Sequence, residues 1–424
     1  MKIELNELSP VKRTMTVEVE AGVVAAETDE VVRRYAVKAR IPGFRPGKAP
    51  LSVVRSRFKK EVEEEVRESL LHRLYGEAAK EKGITPIGDP ALDEVVFEEG
   101  KPFSFKTSFE IRPEINPQGY EGVEVPKKAA AVSDEDVETA LGEIRDSRAQ
   151  LVVKEGKAET GDFLMADVAG TPEGGEPFQQ ENALVEIGST QNLPEFNDRI
   201  EGAGKGDSLE FSVNYPQEHP AEQLAGKDVA YQLTVHEVKT RELPELDDEF
   251  AKDLGEFDSL DALKERVRTD LTARKKAETD NEMRKILMDK IVVENPAELP
   301  DVLVEEEIRH RMEDMVRTMM MQGVDPQKID VDWKEIRERQ DEPARKAVHA
   351  RLVLDAIADE KGLAVEDKEV DEKIQVEAAR IGEPATEVRK RLVDSGGTGA
   401  IKVQLLREKA LEWVVAAANI QEEE

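Results

Sequence analysis

"VKARIPGFRPGKAP" occupies residues 37–50, and its reading decides how the rest of the chain is understood. It carries Lys38, Arg40, Arg45 and Lys48, a Pro-Gly-Phe and a Pro-Gly, and no acid. It sits inside a longer run. Between Val31 and Lys60 there are ten lysines and arginines and no aspartate or glutamate, and the acids resume at once with Glu61, Glu63, Glu64 and Glu65. Yet the chain of 424 residues has a formal net charge of −32, a field that repels phosphate. A local reversal of this kind is either a solvated helix face or a docking patch for an anionic partner. Its placement across a glycine-hinged break between two expected helix ends favours docking.

The length suggests roughly two or three domains. Hydrophobic residues are 39%, aromatics only 4% and charged residues 36%, a balance that suits long charged helices better than one large core. Cysteine is absent, which excludes disulfides and thiolate metal sites. "MKIELNELSPVKR" has no apolar run and no stretch approaches ~20 apolar residues, so neither a signal peptide nor a membrane span is expected. A soluble cytoplasmic protein is the expectation.

Alternation over residues 2–20 predicts two strands around Ser9-Pro10. Thr28 is expected to cap a helix that carries Val31, Val32 and Tyr35 on one side. "PGFRPGK" breaks it, and a longer helix is expected from about Leu51 to Lys82, stopped by Gly83. "FEEGKPFSFKTSFEI" predicts a hairpin with Phe103, Phe105, Phe109 and Ile111 on one face. "RPEINPQGYEGVEVPKK" reads as a linker rich in Pro and Gly, and Ser133 opens a helix with acids in its first turn. Residues 155–240 read as mostly β. From Leu243 onward the pattern is helical, with starts at Ser259, after Pro300, near Asp330, after Pro343, after Val365, after Pro384 and near Thr398. Helix 133–150 can pack with these later helices, which would make the β domain an insertion.

"GFRPGKAP", Gly43–Pro50, between two helices near the N-terminus, resembles the signature loop of the trigger factor family of ribosome-associated chaperones. The likeness runs along the chain: the β insertion is similar to an FKBP-like peptidyl-prolyl isomerase, and "LPELDDEFAKDLG", Leu243–Gly255, looks like the family's return to its helical domain. The resemblance implies a multidomain α+β architecture. Residues 1–112 would be an α+β ribosome-docking domain, 113–154 a linker and first helix, 155–242 the inserted FKBP-like domain and 243–424 an extended all-α chaperone domain. It implies docking on protein and rRNA of the large ribosomal subunit at the tunnel exit through Gly43, Phe44, Arg45, Gly47 and Lys48. It also implies nascent and unfolded polypeptides as clients, no membrane partner, and admits a homodimer off the ribosome. The chemistry is apt. Arg45 offers a planar fork, Lys48 a point charge and Phe44 an apolar plug, with Arg33, Arg34, Lys38, Arg40, Arg55, Arg57, Lys59 and Lys60 for steering. Pro46 stands where the family often has a basic residue.

Prolyl isomerisation needs no acid or base, because its barrier of about 20 kcal/mol is lost amide resonance. The signature is therefore an apolar pocket. The resemblance places Phe178, Ile187, Leu193, Phe196 and Tyr231 there, and matches "NLPEF", Asn192–Phe196, to the segment whose backbone N–H meets the substrate carbonyl. Four positions depart from the pattern: Val168 and Ala183 replace aromatics, Glu195 a frequent Gly and His219 a frequent Tyr. These reduce the pocket, so a weakened isomerase or a client-binding module is expected.

Met312, Met315 and Met319 recur at helical spacing, with Met320 and Met321 beside them. Such a stripe is either helix packing or an adaptable client surface, since Met suits both. A second stripe, Ile401, Leu405, Leu406, Leu411, Trp413 and Val414, reads as core. His72, His219, His236, His310 and His349 have no metal-ligand spacing, and "DSGGTGA", Asp394–Ala400, lacks the P-loop lysine, so no metal, ATP or other cofactor is expected. The leading reading is an ATP-independent chaperone at the exit tunnel with isomerase activity. The alternatives are primarily a peptidyl-prolyl isomerase with substrate-recruiting domains, or an RNA-binding regulator.

Overall fold

The computed structural model describes residues 1–424 except 39–41, 43, 45–47, 99, 220–222, 256, 327, 329–330 and 424, with Lys38 described by its backbone alone. The chain forms two compact units, Met1–Lys127 with Asn281–Glu424, and Lys128–Asp280.

In the first unit, β1 (Lys2–Glu7) and β2 (Lys12–Val19) form a hairpin closed by the Leu8 and Ser9 N–H groups, both donating to the Lys12 carbonyl. With β3 (Pro86–Val96) and β4 (Phe103–Ile111) they make an antiparallel sheet of order β1-β2-β4-β3. Period-2 alternation puts Met15, Val17 and Val19 beside Phe103, Phe105 and Phe109 on one face, all buried under the helices. β3 is an edge strand whose register shifts between Ile87 and Ala91, and Pro90 sits in that shift, where it costs no ladder bond.

The covering helices depart from expectation at two places. α1 runs Ala21–Lys38, so Thr28 lies inside it, and its hydroxyl donates to the Val24 carbonyl at 2.7 Å instead of capping a start. The expected single helix is two, α2 (Leu51–Arg57) and α3 (Lys59–Glu81), because Phe58 leaves helical torsions (φ −113, ψ 35) and packs its ring 5.8 Å from Tyr35. The bend lets Val54 join Val62, Val66, Leu70 and Leu74 in one core. Val31 and Val32 are buried in that core and Tyr35 packs against it, on the expected side of α1.

The second unit starts with α4 (Asp134–Ser147), whose Ser133 and Asp136 form a reciprocal capping box. Its β strands are β6 (Gln150–Val153), β7 (Phe163–Pro172), β8 (Phe178–Glu186), β9 (Ser208–Asn214) and β10 (Asp228–Glu242), with the short α5 (Pro194–Ile200) between β8 and β9. Sheet order is β6-β10-β7-β8, with β9 also on β10. A short helix inside the expected helical region but with no predicted start of its own, α6 (Asp248–Asp253), is capped by the Asp247 carboxylate. Its Phe250 and Ala251 pack with Val137 and Leu141 of α4 and with Leu263 and Val267 of α7 (Leu260–Glu294). Helices from before and after the strands thus share a core, which makes the β domain an insertion.

Ser133's N–H, the Lys275 ammonium and the Ser133 hydroxyl hold the Asp136 carboxyl at about 2, below its ordinary 3.8. A lowered folded-state value contributes stability that is complete above the unfolded value and lost as pH falls toward the folded one. The melting advantage of the native chain over Asp136→Asn is therefore expected to shrink between about pH 4 and about pH 2. An advantage constant across that window would contradict the cap.

The remaining helices belong to the first unit: α8 (Asp301–Met321), α9 (Trp333–Glu360), α10 (Asp367–Ile381), α11 (Ala385–Asp394) and α12 (Gly397–Ala417). No break follows Pro343. It lies inside α9, where a proline costs about 3 kcal/mol, and burial of Ala344, Val348 and Leu352 against Val304 and Ile308 of α8 offsets it. The "linker" is not free either. Tyr120 and Val125 are buried with Met283, Leu287, Ile291, Val353, Ile357 and Val414, and Gln118 exchanges two hydrogen bonds with the Asn295 side chain at 2.7 and 2.8 Å. β5 (Glu124–Lys128) pairs with β11 (Asn419–Glu423). α8 follows Pro300, which has no capping side chain. Glu110 of β4 supplies the acceptor, taking the Val302 N–H at 2.9 Å, while Lys12 bridges Asp301 at 2.8 Å. Gly88 of β3 (φ +66) lies so near Val302 that a Cβ would fall 2.7 Å from its Cγ1.

Candidate functional site

Two regions carry candidate chemistry. In the β domain, the Tyr231 ring on β10 meets Phe196 of α5 edge-on at 5.1 Å and Phe178 of β8 at 6.1 Å, and stacks with Phe211 of β9 at 5.7 Å. Phe196 and Phe211 are themselves edge to face at 5.4 Å. Three predicted residues, Phe178, Phe196 and Tyr231, are thus brought together, and Phe211 is an addition the sequence reading missed. Its only signal was inward spacing with Leu209 and Val213 along β9. Phe178 is 37% exposed, and so forms the accessible lip of the cluster. Ile187 is fully buried, placing it in the domain interior behind the cluster, and Leu193 packs partly buried against the same core. Val168 and Ala183 are both buried in that core, where they supply little area. His219 lies edge-on to Tyr215 at 4.8 Å, and the Tyr215 and Tyr231 hydroxyls share a hydrogen bond of 2.7 Å. Burial raises the Tyr231 phenol far above its ordinary value, so it stays neutral at physiological pH.

The turn into α5 is held by amides. Asn192 Nδ2 donates to the Glu186 carbonyl at 3.0 Å and to Asn197 Oδ1 at 3.1 Å, Asn197 Nδ2 donates to the Ser189 carbonyl, and the Gly188 N–H donates to Asn197 Oδ1. Asn197 was also missed. These bonds fix the backbone of "NLPEF" beside the aromatic cluster. Glu195 is exposed there.

The second region is the basic tip. Gly43, Arg45 and Gly47 lie outside the described residues, as does Arg40. Phe44 is 41% exposed and Lys48 is exposed. Arg34 pairs with Glu65 at 3.2 Å, Arg55 with Asp29 at 2.6 Å and Lys59 with Glu63 at 3.7 Å, all on the surface, where such pairs are worth about 0–1 kcal/mol. Among the described residues Arg33, Lys48, Arg57 and Lys60 have no ion pair. The run therefore holds both uncompensated cations and an exposed aromatic ring.

Met312, Met315 and Met319 are half-buried on α8, in line with Val304 and Ile308. Met312 packs against the α8–α9 core, whereas Met320 and Met321 are 65% and 84% exposed. Glu307 of the same helix is buried, between Arg311 Nε at 2.7 Å and an Arg351 nitrogen at 2.6 Å. Ile401, Leu405 and Leu406 pack on α10 and α11 and Val414 is buried, as the second stripe predicted. No helix among the described residues is long and apolar enough to cross a membrane.

A family model described as bacterial trigger factor protein matches residues 1–144, and one described as bacterial trigger factor protein C-terminus matches residues 259–416. A trigger factor of Solibacter usitatus is 33% identical over 411 residues, covering 96% of this chain and 97% of that protein. One of Geobacillus thermodenitrificans is 34% identical over 430 residues, covering 99% and 100%. A solved trigger factor chaperone, described for promiscuous substrate recognition in folding and assembly, aligns over 98% of this chain and 99% of its own with a TM-score of 0.52 at 24% identity, a likeness of fold. The paired family models and the full-length identity place the chain in the trigger factor family, the ribosome-associated chaperones.

Proposed function

We propose that residues 1–112 dock the chain on the large ribosomal subunit at the tunnel exit, with Gly43, Phe44, Arg45, Gly47 and Lys48 meeting protein and rRNA. In this reading residues 155–242 are an FKBP-like prolyl isomerase, with Phe178, Ile187, Leu193, Phe196 and Tyr231 as its apolar site. The helical parts, residues 113–154 and 243–424, hold nascent and unfolded chains without ATP, with Met312, Met315 and Met319 contributing to client contact. The compartment is the cytoplasm, where ribosomes emit such chains. The isomerase is weak, because Val168 and Ala183 supply less apolar surface than aromatics would. A homodimer would form when the tip is off the ribosome.

The observation that supports docking most directly is that one run of a chain of net charge −32 holds the exposed Phe44 and the cations Arg33, Lys48, Arg57 and Lys60, which have no ion pair among the described residues. With about four phosphates neutralised, binding should weaken by roughly two orders of magnitude between about 50 and 200 mM salt as counterions return to the RNA. Co-sedimentation with ribosomes across that range measures the slope. A flat response would mean that the cations take no part.

A further inference from the structure

We propose that the His236–Asp167 pair is a positioning clamp for the isomerase site: it locks adjoining β-bulges into the register that turns Phe178 onto the aromatic cluster. The inference rests on the isomerase reading above.

The bulges are set out by the ladder. On β7 and β8, Ala166 faces Ala183 but Val168 faces Gln180, so Glu181 and Asn182 together stand against Asp167. Asn182 has φ 52, the one non-glycine residue at positive φ among those described, a conformation asparagine tolerates better than most. On the other side of β7, its register with β10 shifts between Val235 and Glu237, leaving His236 unpaired in the ladder. Asp167 sits between the irregularities and gives one carboxylate oxygen to each. Its Oδ1 accepts the Asn182 N–H at 2.8 Å, and its Oδ2 meets His236 Nε2 at 2.9 Å. Both bonds hold the Asp167 carboxyl below the usual carboxylate range, the Asn182 N–H first.

The register matters because strand side chains alternate between faces, so a slip of one residue turns each to the opposite side. If the Ala166–Ala183 register continued, Phe178 would face Thr171 and point away from Tyr231. With the bulge, Phe178 faces Gly170, and its ring lies over that glycine so closely that any side chain there would collide with it. Phe178 then reaches Tyr231 edge-on at 6.1 Å. Asp167 and His236 point to the outer face of the sheet, since Ala166, Val168 and Gly170 point inward. They touch no substrate and act through Phe178.

The test uses the full chain labelled with 13C-glycine. Phe178→Ala assigns the Gly170 signal, which the Phe178 ring shifts, and turnover of a Phe-Pro tetrapeptide gives kcat/KM. His236→Ala is expected to move the Gly170 signal toward its position in Phe178→Ala and to lower kcat/KM by up to about a hundredfold, the scale of a ~1 Å misplacement. His236→Gln, whose amide N–H can still reach Asp167, should restore both, with all variants melting close to the native chain. An unmoved Gly170 signal in His236→Ala, or a loss that glutamine does not restore, overturns the clamp. If the native chain turns over no peptide, the Gly170 signal decides alone: its movement in His236→Ala upholds the clamp and shows that the isomerase reading is what failed.

Discussion

Replacing Gly43, Phe44 and Arg45 together by alanine is expected to abolish co-sedimentation with ribosomes at about 0.1 M salt. Suppression of client aggregation and peptide isomerisation should remain. A charge-assisted bond from arginine to phosphate or carboxylate is worth about 1.5–3 kcal/mol, and burial of a phenylalanine another 1.5–3 kcal/mol. At about 1.4 kcal/mol per tenfold, their joint loss weakens binding by two orders of magnitude or more. The flanking Arg33, Arg57 and Lys60 stay in place, so the encounter rate should change less than the lifetime of the complex. Undiminished sedimentation of the triple variant would remove the basis for the docking role. Loss of all three activities together would show that the substitution damages the fold.

Phe196→Ala carries the largest expected effect on stability. The ring is buried against Phe211 and Tyr231, and truncating such a phenylalanine costs about 3–5 kcal/mol through lost burial and the cavity left behind. Its position on a seven-residue helix between two strands gives the gap little room to collapse. In calorimetry the transition of the β domain should move down by more than about 8 °C while that of the first unit stays in place. Isomerisation should vanish even at temperatures where the domain is folded, because Tyr231 loses the neighbour that holds its ring. A variant with native turnover would take the aromatic cluster out of the chemistry.

Where the determinants are local, the fold can be read directly from the chain. The Ser133–Asp136 box needs four consecutive residues, and the face carried by Phe103, Phe105 and Phe109 needs only period-2 spacing. Where distant partners decide, local signals mislead. Gln118 reads as linker because the side chain that pins it, Asn295, lies 177 positions away. Pro343 reads as a helix start because the packing that offsets it comes from α8. Phe58 gives no breaker signal, and its bend follows from the need to bring Val54 and Val62 to one core. The aromatic cluster of the β domain divides in the same way. Phe178, Phe196 and Tyr231 are identified by their kind, whereas Phe211 and the bulge at Asp167 come from strand register, which a sequence does not state.

The first turn of α8 borrows its acceptor from Glu110, a residue on the β4 strand of the same compact unit. Parting this sheet from α8 would therefore take away the Val302 amide's acceptor, beside a proline with no capping side chain. Such a parting would leave that first-turn amide to water and weaken that end of the helix. A pull on the sheet would in this way be felt at the N-terminal end of the methionine-bearing helix. Deuterium uptake at Val302 and Leu303, rising in step with any such parting, is how that mechanical link would be seen.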